Sequence, residues 1–531
     1  YSLKGLKGEA KKRARKMNSD QQALFKHVSK VDSFKDAGVR FIKVDLGKKR
    51  AKALEERYKL ERKPAESQPT YTTMIFHDGV PVTDEQEEPV KITNPGNDAH
   101  LRSFVERHLG EQVNAKLVEK EKPEIFAFET KTPVIKQHWE TINNLKKKFP
   151  KMKIVIYGDH VTSFPKETME NSQIDFVLCG GNSDFILQDL VKYLEDNKKN
   201  KIPRGVYYRR GKRILSSGAF VVHQELDNAP FIDRELTKWQ LYQEEYNLIG
   251  KPFFYIMSGR DCWWGKCTFC SWPRMYPKFN HRSVKNVLDE IKMLIEKYDV
   301  KEIFDDSGTL TTGKWLKDLC QGLIERGYNK KIKYSCNMRF GALKQEDYNL
   351  MKRAGFRLLK FGLESANQST LDRLNKGVKI KDILEGSKMA QKAGLMVHLT
   401  MIVGYPWETK EDAMKTYELA KFLMQRGHAD ILQSTVLMPY PGTQLWEEAK
   451  ANRWLLLGER EYERYDQREP VLKTKDSRPE DIAAICGKIY TIFLTPQYIF
   501  QRIKSIKSWE DFKFNIKGVK AVIGHLKDFL K

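Results

Sequence analysis

The sequence predicts an α/β protein in which two parallel sheets follow one another along the chain and precede a helical C-terminal region. Helical and strand periods alternate over residues 100–202 and again over 252–447. Such alternation is typical of parallel strands covered by helices on both faces. Most of the predicted strands end at glycines or polar residues. Because ligands bind at the carboxyl ends of parallel strands, these loops are where chemistry is expected.

The composition is that of a soluble cytoplasmic protein. The chain has 531 residues, of which 40% are hydrophobic, so two to four domains are expected. We find no apolar run of about 18 residues, which argues against a membrane span, and no secretory signal pattern follows Tyr1. The seven cysteines are too few and too unevenly placed for a disulfide framework. Four of them are expected to be buried in a reducing compartment: Cys179, Cys320, Cys336 and Cys486.

The net charge of +24 favours nucleic acid, acidic lipid surfaces or phosphorylated substrates as partners. However, the lysines alternate with glutamates along helical segments, which indicates solvated faces. Apolar residues at helical spacing with lysines between them run through "LTPQYIFQRIKSIKSWEDFKFNIKGVKAVIGHLKDFL" near the C-terminus. This segment can pack against the second sheet or lie at the surface of an anionic membrane. Peripheral membrane contact and nucleic-acid contact therefore both stay open.

The N-terminal region, 1–99, is hard to assign. "FKDAGVRFIKVDLG" predicts the end of a helix, a strand and a turn, whereas 62–98 is rich in Pro, Thr and acidic residues. We interpret 62–98 as an irregular insertion carrying a short strand or two. The first alternating run, 100–202, then predicts a domain of its own.

A connector, a second domain and a tail follow. In the connector, 203–251, we expect a hairpin over "RGVYYRRGKRI" and a polar helix over "DRELTKWQLYQEEYNLIG". The run over 252–447 contains six strand–helix units, short of a closed eight-stranded barrel, and predicts an open, partial (β/α)6 barrel of the TIM type. The remainder, 448–531, is predicted to be mostly helical.

The loop after the first of these six strands, "DCWWGKCTFCSW", carries a C-x4-C-x2-C pattern made by Cys262, Cys267 and Cys270. Three thiolates leave one coordination position open, whereas a zinc site more often recruits His or Asp as a further ligand. A four-iron cluster held by three thiolates has one iron free for an exogenous ligand. The neighbouring Trp263 and Trp264 can shield such a cluster from water.

With its place at the start of six strand–helix units, this loop resembles that of the radical S-adenosylmethionine enzymes. That family commonly spaces its cysteines C-x3-C-x2-C, so this chain has one extra residue, while "CTFC" keeps the family's spacing. The segments "FDDSGT", "CNMRFG", "GLESANQSTLDRLNKG", "VGYPWET" and "PYPGT" are similar to the family's later strand ends, in the same order. The resemblance implies a 4Fe–4S cluster whose open iron chelates S-adenosylmethionine, and a 5′-deoxyadenosyl radical as the product of its cleavage.

The same resemblance implies contacts to S-adenosylmethionine. Phe269 is expected to pack on adenine, and Glu364 and Ser365 to bond ribose or methionine. The further residues implied are Asp305, Asp306 and Ser307 at the amino group, and Arg339 and Gly404 at their strand ends. The alternative for each polar residue is an ordinary strand-end or helix-cap role. No catalytic residue is assigned.

The preceding region resembles the Rossmann-like cobalamin-binding domain that is often fused upstream of such enzymes. "KPEIFAFETKTP", "KMKIVIYGDHVTS" and "IDFVLCGG" follow its layout, and "DAGVRFIKVDLG" is the candidate for an earlier strand. The D-x-H-x-x-G signature is absent, so His160 is not expected to ligate cobalt. The resemblance implies cobalamin contacts from Thr130, Thr132, Gly158, Thr162, Gly180 and Gly181. The alternative is a sheet that kept its shape and lost the cofactor.

Together these resemblances imply a cobalamin-dependent radical enzyme, whose most frequent activity is methyl transfer to an unactivated carbon. Cyclisation or rearrangement without methylation stays open, as does an RNA-modifying radical enzyme. A methylthio-transferring enzyme with a second cluster is disfavoured, because no cysteine precedes Cys179. A basic binding protein with a structural metal is the alternative outside enzymes. The expected partners are an external electron donor such as flavodoxin or ferredoxin and a substrate that the loops do not identify.

Overall fold

The computed structural model describes residues 118–519 except for short gaps at 196–200, 223–224, 244–247, 459, 466, 468, 507–508 and 510, together with four strands between residues 39 and 92. The chain divides into two compact units, 1–123 and 124–531. The helix predicted over "HLRSFVERHLGEQVNAKLVEKE", 100–121, lies mostly outside the described part, as do the residues after 519.

The described strands of the first unit form one antiparallel sheet. These strands are β1 (Val39–Val44), β2 (Thr72–His77), β3 (Val80–Pro81) and β4 (Lys91–Ile92). β2 pairs with each of the other three. The strand predicted within "FKDAGVRFIKVDLG" is therefore confirmed, but its assignment to the downstream parallel sheet is wrong. The insertion supplies β2, a partner of equal length that pairs with β1 along all of its residues.

The second unit opens with a five-stranded sheet. Its strands are β5 (Ile125–Thr130), β6 (Lys153–Gly158), β7 (Phe176–Leu178), β8 (Val206–Arg210) and β9 (Arg213–Ser216). The first three are parallel, as the alternation predicts, whereas β8 and β9 form the predicted hairpin and join β7 antiparallel. The hairpin is therefore part of the sheet rather than of a connector, because it satisfies the backbone groups of the short strand β7.

Helices connect and cover these strands. They are α1 (Ile135–Lys148), α2 (Asp159–Ser163), α3 (Pro165–Asn171) and α4 (Ser183–Glu195). The core on one face combines Val155 and Leu178 of the strands with Ile186 and Leu190 of α4, all of them buried. The apolar stripe of α4 thus fixes which face of the sheet the helix covers.

A second, six-stranded sheet begins at β10 (Phe253–Ile256). A short ladder of β11 (Gly259–Arg260) with β12 (Asn280–His281) follows, with α5 (Trp272–Met275) between them. The remaining strands are β13 (Glu302–Asp305), β14 (Lys333–Met338), β15 (Phe356–Glu364), β16 (Met396–Val403) and β17 (Ile431–Val436). β10 and β13 to β17 pair side by side in chain order, and every pair is parallel. All carboxyl ends of the sheet therefore meet at one edge.

Each strand of this sheet is followed by helix, as predicted. The helices are α6 (Val284–Tyr298), α7 (Lys314–Glu325), α8 (Gln345–Arg353), α9 (Gln368–Arg373), α10 (Ile380–Lys392), α11 (Lys410–Gln425) and α12 (Gln444–Ala451). Side-chain caps fix several starts: Ser283 accepts a hydrogen bond from the Asn286 N–H, and Thr409 and Asp412 form a capping box.

The C-terminal region is helical, as predicted. It contains α13 (Pro479–Tyr490), α14 (Pro496–Ser505) and a helical segment at 511–519. α13 is largely buried against β17, whereas α14 has no buried residue. Among the described residues, no single helix has both the length and the apolar character to cross a bilayer. Pro479–Leu494 and Pro496–Ser505 meet those criteria only as a pair bent by 52°.

The polar helix expected in the connector does not form in its described part. Between Asp233 and Gln243 there are turns and a single short 3-10 helix, Trp239–Tyr242. Tertiary contacts explain the difference, because Arg234 turns inward to the Glu290 carboxylate at 3.2 Å. The Gln243 amide bonds both the N–H and the C=O of Phe253. The prediction that Cys179, Cys320, Cys336 and Cys486 are buried free thiols is confirmed.

Candidate functional site

The three-cysteine loop lies over the carboxyl edge of the six-stranded sheet and is fixed to it at several points. Cys262 pairs as an isolated bridge with Thr309, which follows β13, and its Sγ lies 3.3 Å from the Thr309 hydroxyl. The Thr268 N–H donates to the Leu374 C=O at 3.0 Å, and its C=O accepts from the Leu445 N–H at 3.0 Å. The loop is thereby held by segments that follow β13, β15 and β17.

The three thiols of the loop are free and partly buried. Burial, together with the charge of the neighbouring Cys267, raises the pKa of Cys270 to about 12. Cys267 in turn has its pKa raised by burial and by Cys262, among other groups. No three His, Cys, Asp or Glu side chains in the described part of the chain converge on a single ion position. A four-iron cluster does not need such convergence, because each thiolate binds a different iron.

Two cations flank the thiols. Burial lowers the pKa of Lys376, but the charges of Glu364 and Cys267 outweigh it and the net shift is upward. Its Nζ lies 2.6 Å from a Glu364 carboxylate oxygen. Arg339 donates to the Lys376 C=O, and its guanidinium also interacts electrostatically with Cys267 and Cys262. Three thiolates on an iron–sulfur cluster carry net negative charge, so these two cations fit that group.

The tryptophans of the loop pack against the six-stranded sheet. The Trp263 Nε1–H donates to the Leu310 C=O at 3.1 Å, and the Trp264 Nε1–H donates to the Asn375 C=O at 2.8 Å. The Arg339 guanidinium lies 4.0 Å from the centroid of the Trp264 ring, within cation–π range. The extra residue of the C-x4-C spacing therefore lies in a stretch whose tryptophans pack against Arg339.

In the acidic loop after β13, some polar side chains are hydrogen-bonded within the protein and others are open to a ligand. Both Asp305 oxygens accept hydrogen bonds inside the protein, from the Ser258 N–H, from Ser307 and from the Tyr334 hydroxyl at 2.8 Å. The Ser307 Oγ also accepts from the Gly259 N–H at 2.8 Å. Asp306 is exposed at the strand end, where its carboxylate accepts from Asn337 at 3.1 Å. Of the three residues predicted at the amino group, Asp306 is the one open to a ligand.

Among the residues predicted at the later strand ends, some are likewise bonded within the protein and others are more open. Glu364 has a left-handed backbone conformation, with φ of 62°, and lies beside Lys376. The Ser365 hydroxyl donates to Glu408 at 2.6 Å and accepts from Asn367, so it organises its own loop. At Gly404 a Cβ would meet Ile482 of α13. Phe269 lies half-buried in the cysteine loop.

Two buried polar atoms beside the thiols were missed from the sequence. The Tyr405 hydroxyl has no hydrogen-bond partner among the described residues. Burial raises the pKa of Tyr405 well above its usual value, and the charges of Glu364, Glu408 and Cys267 add to the shift. The Asp261 carboxylate accepts from the Gly308 N–H through one oxygen, whereas its other oxygen is without a partner in the same part of the chain. Burial, followed by the charges of Asp306 and Asp305, raises the pKa of Asp261 to about 7.

The five-stranded sheet meets this loop at its own carboxyl edge. The Tyr276 hydroxyl donates to the Gly181 C=O at 2.9 Å, and the Gly181 N–H donates to the Met275 C=O at 2.9 Å. Arg260 forms two hydrogen bonds, of 2.8 and 2.6 Å, with the Asp184 carboxylate. We name this contact the seam, formed by Gly181 and Asp184 on one side and Arg260, Met275 and Tyr276 on the other.

The six residues predicted to contact cobalamin lie at the same edge, but several of their polar groups are bonded internally. The Thr130 and Thr132 hydroxyls lie 2.8 and 3.3 Å from the Nδ1 atoms of His138 and His160. The Thr162 hydroxyl donates to the Gly158 C=O and accepts from the Gly180 N–H. A Cβ at Gly180 or Gly181 would meet the ring of Phe220 or Tyr276. The side chains that are more open at this edge are Glu129, Lys131, Tyr157 and Asp159.

His160 is buried between the five-stranded sheet and the C-terminal region. Its Nε2 lies 3.6 Å from a Glu167 oxygen, and its ring packs edge-on against Tyr462 at 4.6 Å. The Tyr462 hydroxyl also donates to Glu167. The His160 Nδ1 lies within hydrogen-bond distance of the Thr132 hydroxyl, whereas its Nε2 has no hydrogen-bond partner among the described residues.

Comparison with known proteins gives matches over both sheets. Residues 256–420 match the sequence model of the radical SAM superfamily. An uncharacterized methyltransferase of Pyrococcus horikoshii is 28% identical over 393 residues, covering 73% of this chain and 83% of its own. The anaerobic magnesium-protoporphyrin IX monomethyl ester cyclase of Cereibacter sphaeroides is 26% identical, over 71% of this chain and 61% of that protein.

A solved structure shares the fold. The cobalamin-dependent S-adenosylmethionine radical enzyme OxsB, with aqua-cobalamin and S-adenosylmethionine bound, superposes with a TM-score of 0.57 at 13% sequence identity. The match covers 78% of this chain and 65% of that one. This chain therefore spans less than two thirds of both the cyclase and OxsB.

Proposed function

We propose that the chain is a cobalamin-dependent radical enzyme that methylates an unactivated carbon, because residues 256–420 match the sequence model of the radical SAM superfamily. The observation that carries this proposal is the seam, where the carboxyl edges of the five-stranded and six-stranded sheets meet beside a free three-cysteine loop. An α/β protein binds its ligands at such edges. Two opposed edges therefore place two cofactors next to each other.

Cys262, Cys267 and Cys270 hold a 4Fe–4S cluster, and Arg339 and Lys376 offset its negative charge. When bound, the cluster supplies the electron that cleaves the sulfonium of S-adenosylmethionine. Lys376 is fixed by Glu364 and Arg339 is stacked on Trp264, so both charges are already in place before the cluster binds. Such preorganised charge requires no rearrangement at the moment of electron transfer.

Residues around the cysteine loop would hold S-adenosylmethionine beside the cluster. Asp306 bonds its amino group, Phe269 packs against adenine, and Glu364 lies towards the ribose or methionine. The Tyr405 hydroxyl and the second Asp261 oxygen, both buried and without partners among the described residues, offer one donor and one acceptor to the same ligand. A buried polar atom without a partner costs about 1–3 kcal/mol, so a ligand that satisfies it gains affinity.

Cobalamin binds at the edge of the five-stranded sheet, which we assign as Rossmann-like and of the cobalamin-binding type. The six-stranded sheet is assigned as the partial (β/α)6 barrel. When bound, methylcobalamin supplies the methyl group. Polar contact comes from Glu129, Lys131, Tyr157 and Asp159, because the hydroxyls named from the sequence are already bonded within the protein. The protein is cytoplasmic and takes electrons from an external donor such as flavodoxin or ferredoxin.

Methyl transfer is tested with S-adenosylmethionine labelled in its methyl group. In anaerobically reconstituted protein, the label is expected to reach bound cobalamin, and 5′-deoxyadenosine is expected to form. If cobalamin is bound and 5′-deoxyadenosine forms but cobalamin stays unlabelled, the activity is cyclisation or rearrangement, as the name of the cyclase relative suggests. A protein that holds one zinc ion and no iron would instead have a structural metal.

The seam can be tested through Gly181. A Cβ at this position would lie 2.2 Å from the Tyr276 ring, so Gly181→Ala is expected to lower stability by about 1–3 kcal/mol. It should also weaken cobalamin retention while leaving cleavage of S-adenosylmethionine in place. Chemical unfolding and the cobalamin absorbance of the purified protein measure the two effects.

The double variant Gly181→Ala, Tyr276→Ala is the control, because it removes the ring that the new methyl group would meet. In the background of Tyr276→Ala, the change at Gly181 should cost nothing further. Equal effects of Gly181→Ala in both backgrounds would show that the contact with Tyr276 does not support the seam.

A further inference from the structure

The exposed large apolar side chains of the C-terminal region are concentrated on its last two helical segments. On α14, Phe500 is 64% exposed and Ile503 is 63% exposed, while Trp509 is 66% exposed and Val519 is 57% exposed. Phe512 and Ile516 are exposed as well, so the positions 509, 512, 516 and 519 form one stripe at helical spacing. We call these six residues the apolar stripe. A soluble monomer rarely exposes so many large apolar groups in one place.

These helices are held firmly against the amino-terminal edge of the six-stranded sheet. The Arg502 guanidinium bonds Asp430, which precedes β17, at 2.6 Å and Asn515 at 2.9 Å. On the inner side, Phe514 is buried together with Phe253 and Ile431, the first residues of β10 and β17. The stripe therefore faces outward because the opposite side of the same helix is already packed on the core.

A lysine-lined cavity of about 670 Å³ opens beside the stripe. Seven of its 13 described lining residues are lysines, and none is acidic. Lys330 and Lys331 come from the segment before β14, whereas Lys513 and Lys517 come from the same helical segment as Phe512 and Ile516. Its floor includes apolar Leu248 and Phe514. Positive charge and exposed apolar groups thus share one end of the sheet.

We propose that this end of the protein docks on an anionic membrane surface, with the apolar stripe inserted among the acyl chains and the lysines contacting lipid headgroups. Interfacial helices bind through buried apolar area together with attraction to anionic lipids. A nucleic acid would use the lysines but would leave the aliphatic side chains of the stripe, Ile503, Ile516 and Val519, in water. The docking end lies opposite the cysteine loop, so the proposal is independent of the proposed function and does not require a lipid substrate.

The test is co-sedimentation of the full chain with lipid vesicles. Binding is expected to phosphatidylglycerol vesicles, to fall as salt is raised, and to be weak with phosphatidylcholine vesicles. Lys330→Gln with Lys331→Gln should weaken it about 25-fold, taking about fivefold for each lysine near the surface. Lys285→Gln with Lys314→Gln is the matched control, because both exposed lysines begin helices on the carboxyl side of the sheet; it should bind like the parent protein.

The apolar part is tested with Phe500→Ser and Ile503→Ser together, which should weaken binding at least about tenfold. Val221→Ser, an exposed apolar residue near the five-stranded sheet, should have no effect. Because all these side chains are exposed, the variants are expected to unfold at the parent temperature. Equal binding to both vesicle types, or equal losses in test and control variants, would overturn the proposal. So would retention of an RNA oligonucleotide without any vesicle binding.

Discussion

Replacing Cys267 with serine will remove iron from the purified protein and reduce the cleavage of S-adenosylmethionine by more than about 100-fold. Cys267 shares its loop with Cys262 and Cys270, and the Cys270 N–H donates to its C=O at 3.3 Å. Serine offers a hydroxyl that binds iron–sulfur clusters poorly in place of a soft thiolate. Loss of an outer partner of a metal ligand already costs about 10–100-fold, so loss of the ligand itself should cost more. Iron content and 5′-deoxyadenosine formation under reducing conditions measure the effect.

The matched control is Cys320→Ala. Cys320 is fully buried in α7 and is not part of the three-cysteine loop, so this variant should keep its iron and its activity. The Lys376–Glu364 pair does not depend on the thiol, so Cys267→Ser should keep its fold and unfold near the parent temperature. Normal iron and normal cleavage in Cys267→Ser would show that the loop does not bind the cluster.

Regular local patterns made much of the second unit predictable. A parallel sheet buries both faces of its strands, so β10 and β16 have the mainly apolar sequences FFYI and MVHLTMIV that mark them as strands. Their carboxyl ends must share an edge, which is why the cysteine loop and the acidic loop after β13 could be placed together before the structure was known. The spacing of the cysteines, together with the resemblance to the radical S-adenosylmethionine enzymes, predicts that the three thiols hold a cluster.

Pairings between distant segments could not be predicted in this way. The antiparallel partnership of β1 with β2 depends on which strand is free to pair, and no local pattern encodes that choice. The inward turn of Arg234 towards Glu290 overrides the helical propensity of the connector. Tyr405 and Asp261 stand out only because their neighbours leave one polar atom of each without a partner. The sequence "FDDSGT" does not distinguish Asp305 from Asp306. Only the hydrogen bonds of the folded protein show that Asp305 is bonded internally and that Asp306 is open to a ligand.

The largest loss of stability is expected at Glu302, the first residue of β13. Its Oε2 accepts hydrogen bonds from the Ile249 and Gly250 N–H groups at 2.7 and 2.9 Å. Its Oε1 accepts from the Ser335 hydroxyl at 3.1 Å and from Arg357 at 2.8 and 2.7 Å. The carboxylate is fully buried, so its negative charge is what makes burial of the Arg357 guanidinium tolerable.

Glu302→Gln keeps the shape of the side chain and removes that charge, and its amide N–H2 group cannot accept the bonds that one oxygen accepts now. Removing one partner of a buried ion pair costs about 3–5 kcal/mol, which is the expected fall in the free energy of unfolding measured with guanidinium chloride. Glu296→Gln is the matched control, because Glu296 is exposed in a pair with Lys292 at 3.8 Å, and such pairs contribute about 0–1 kcal/mol. Similar losses in the two variants would contradict a stabilising role for the Glu302 network. A loss at Glu302 alone would show that one carboxylate joins the connector, β13, β14 and β15 at the amino-terminal edge of the sheet.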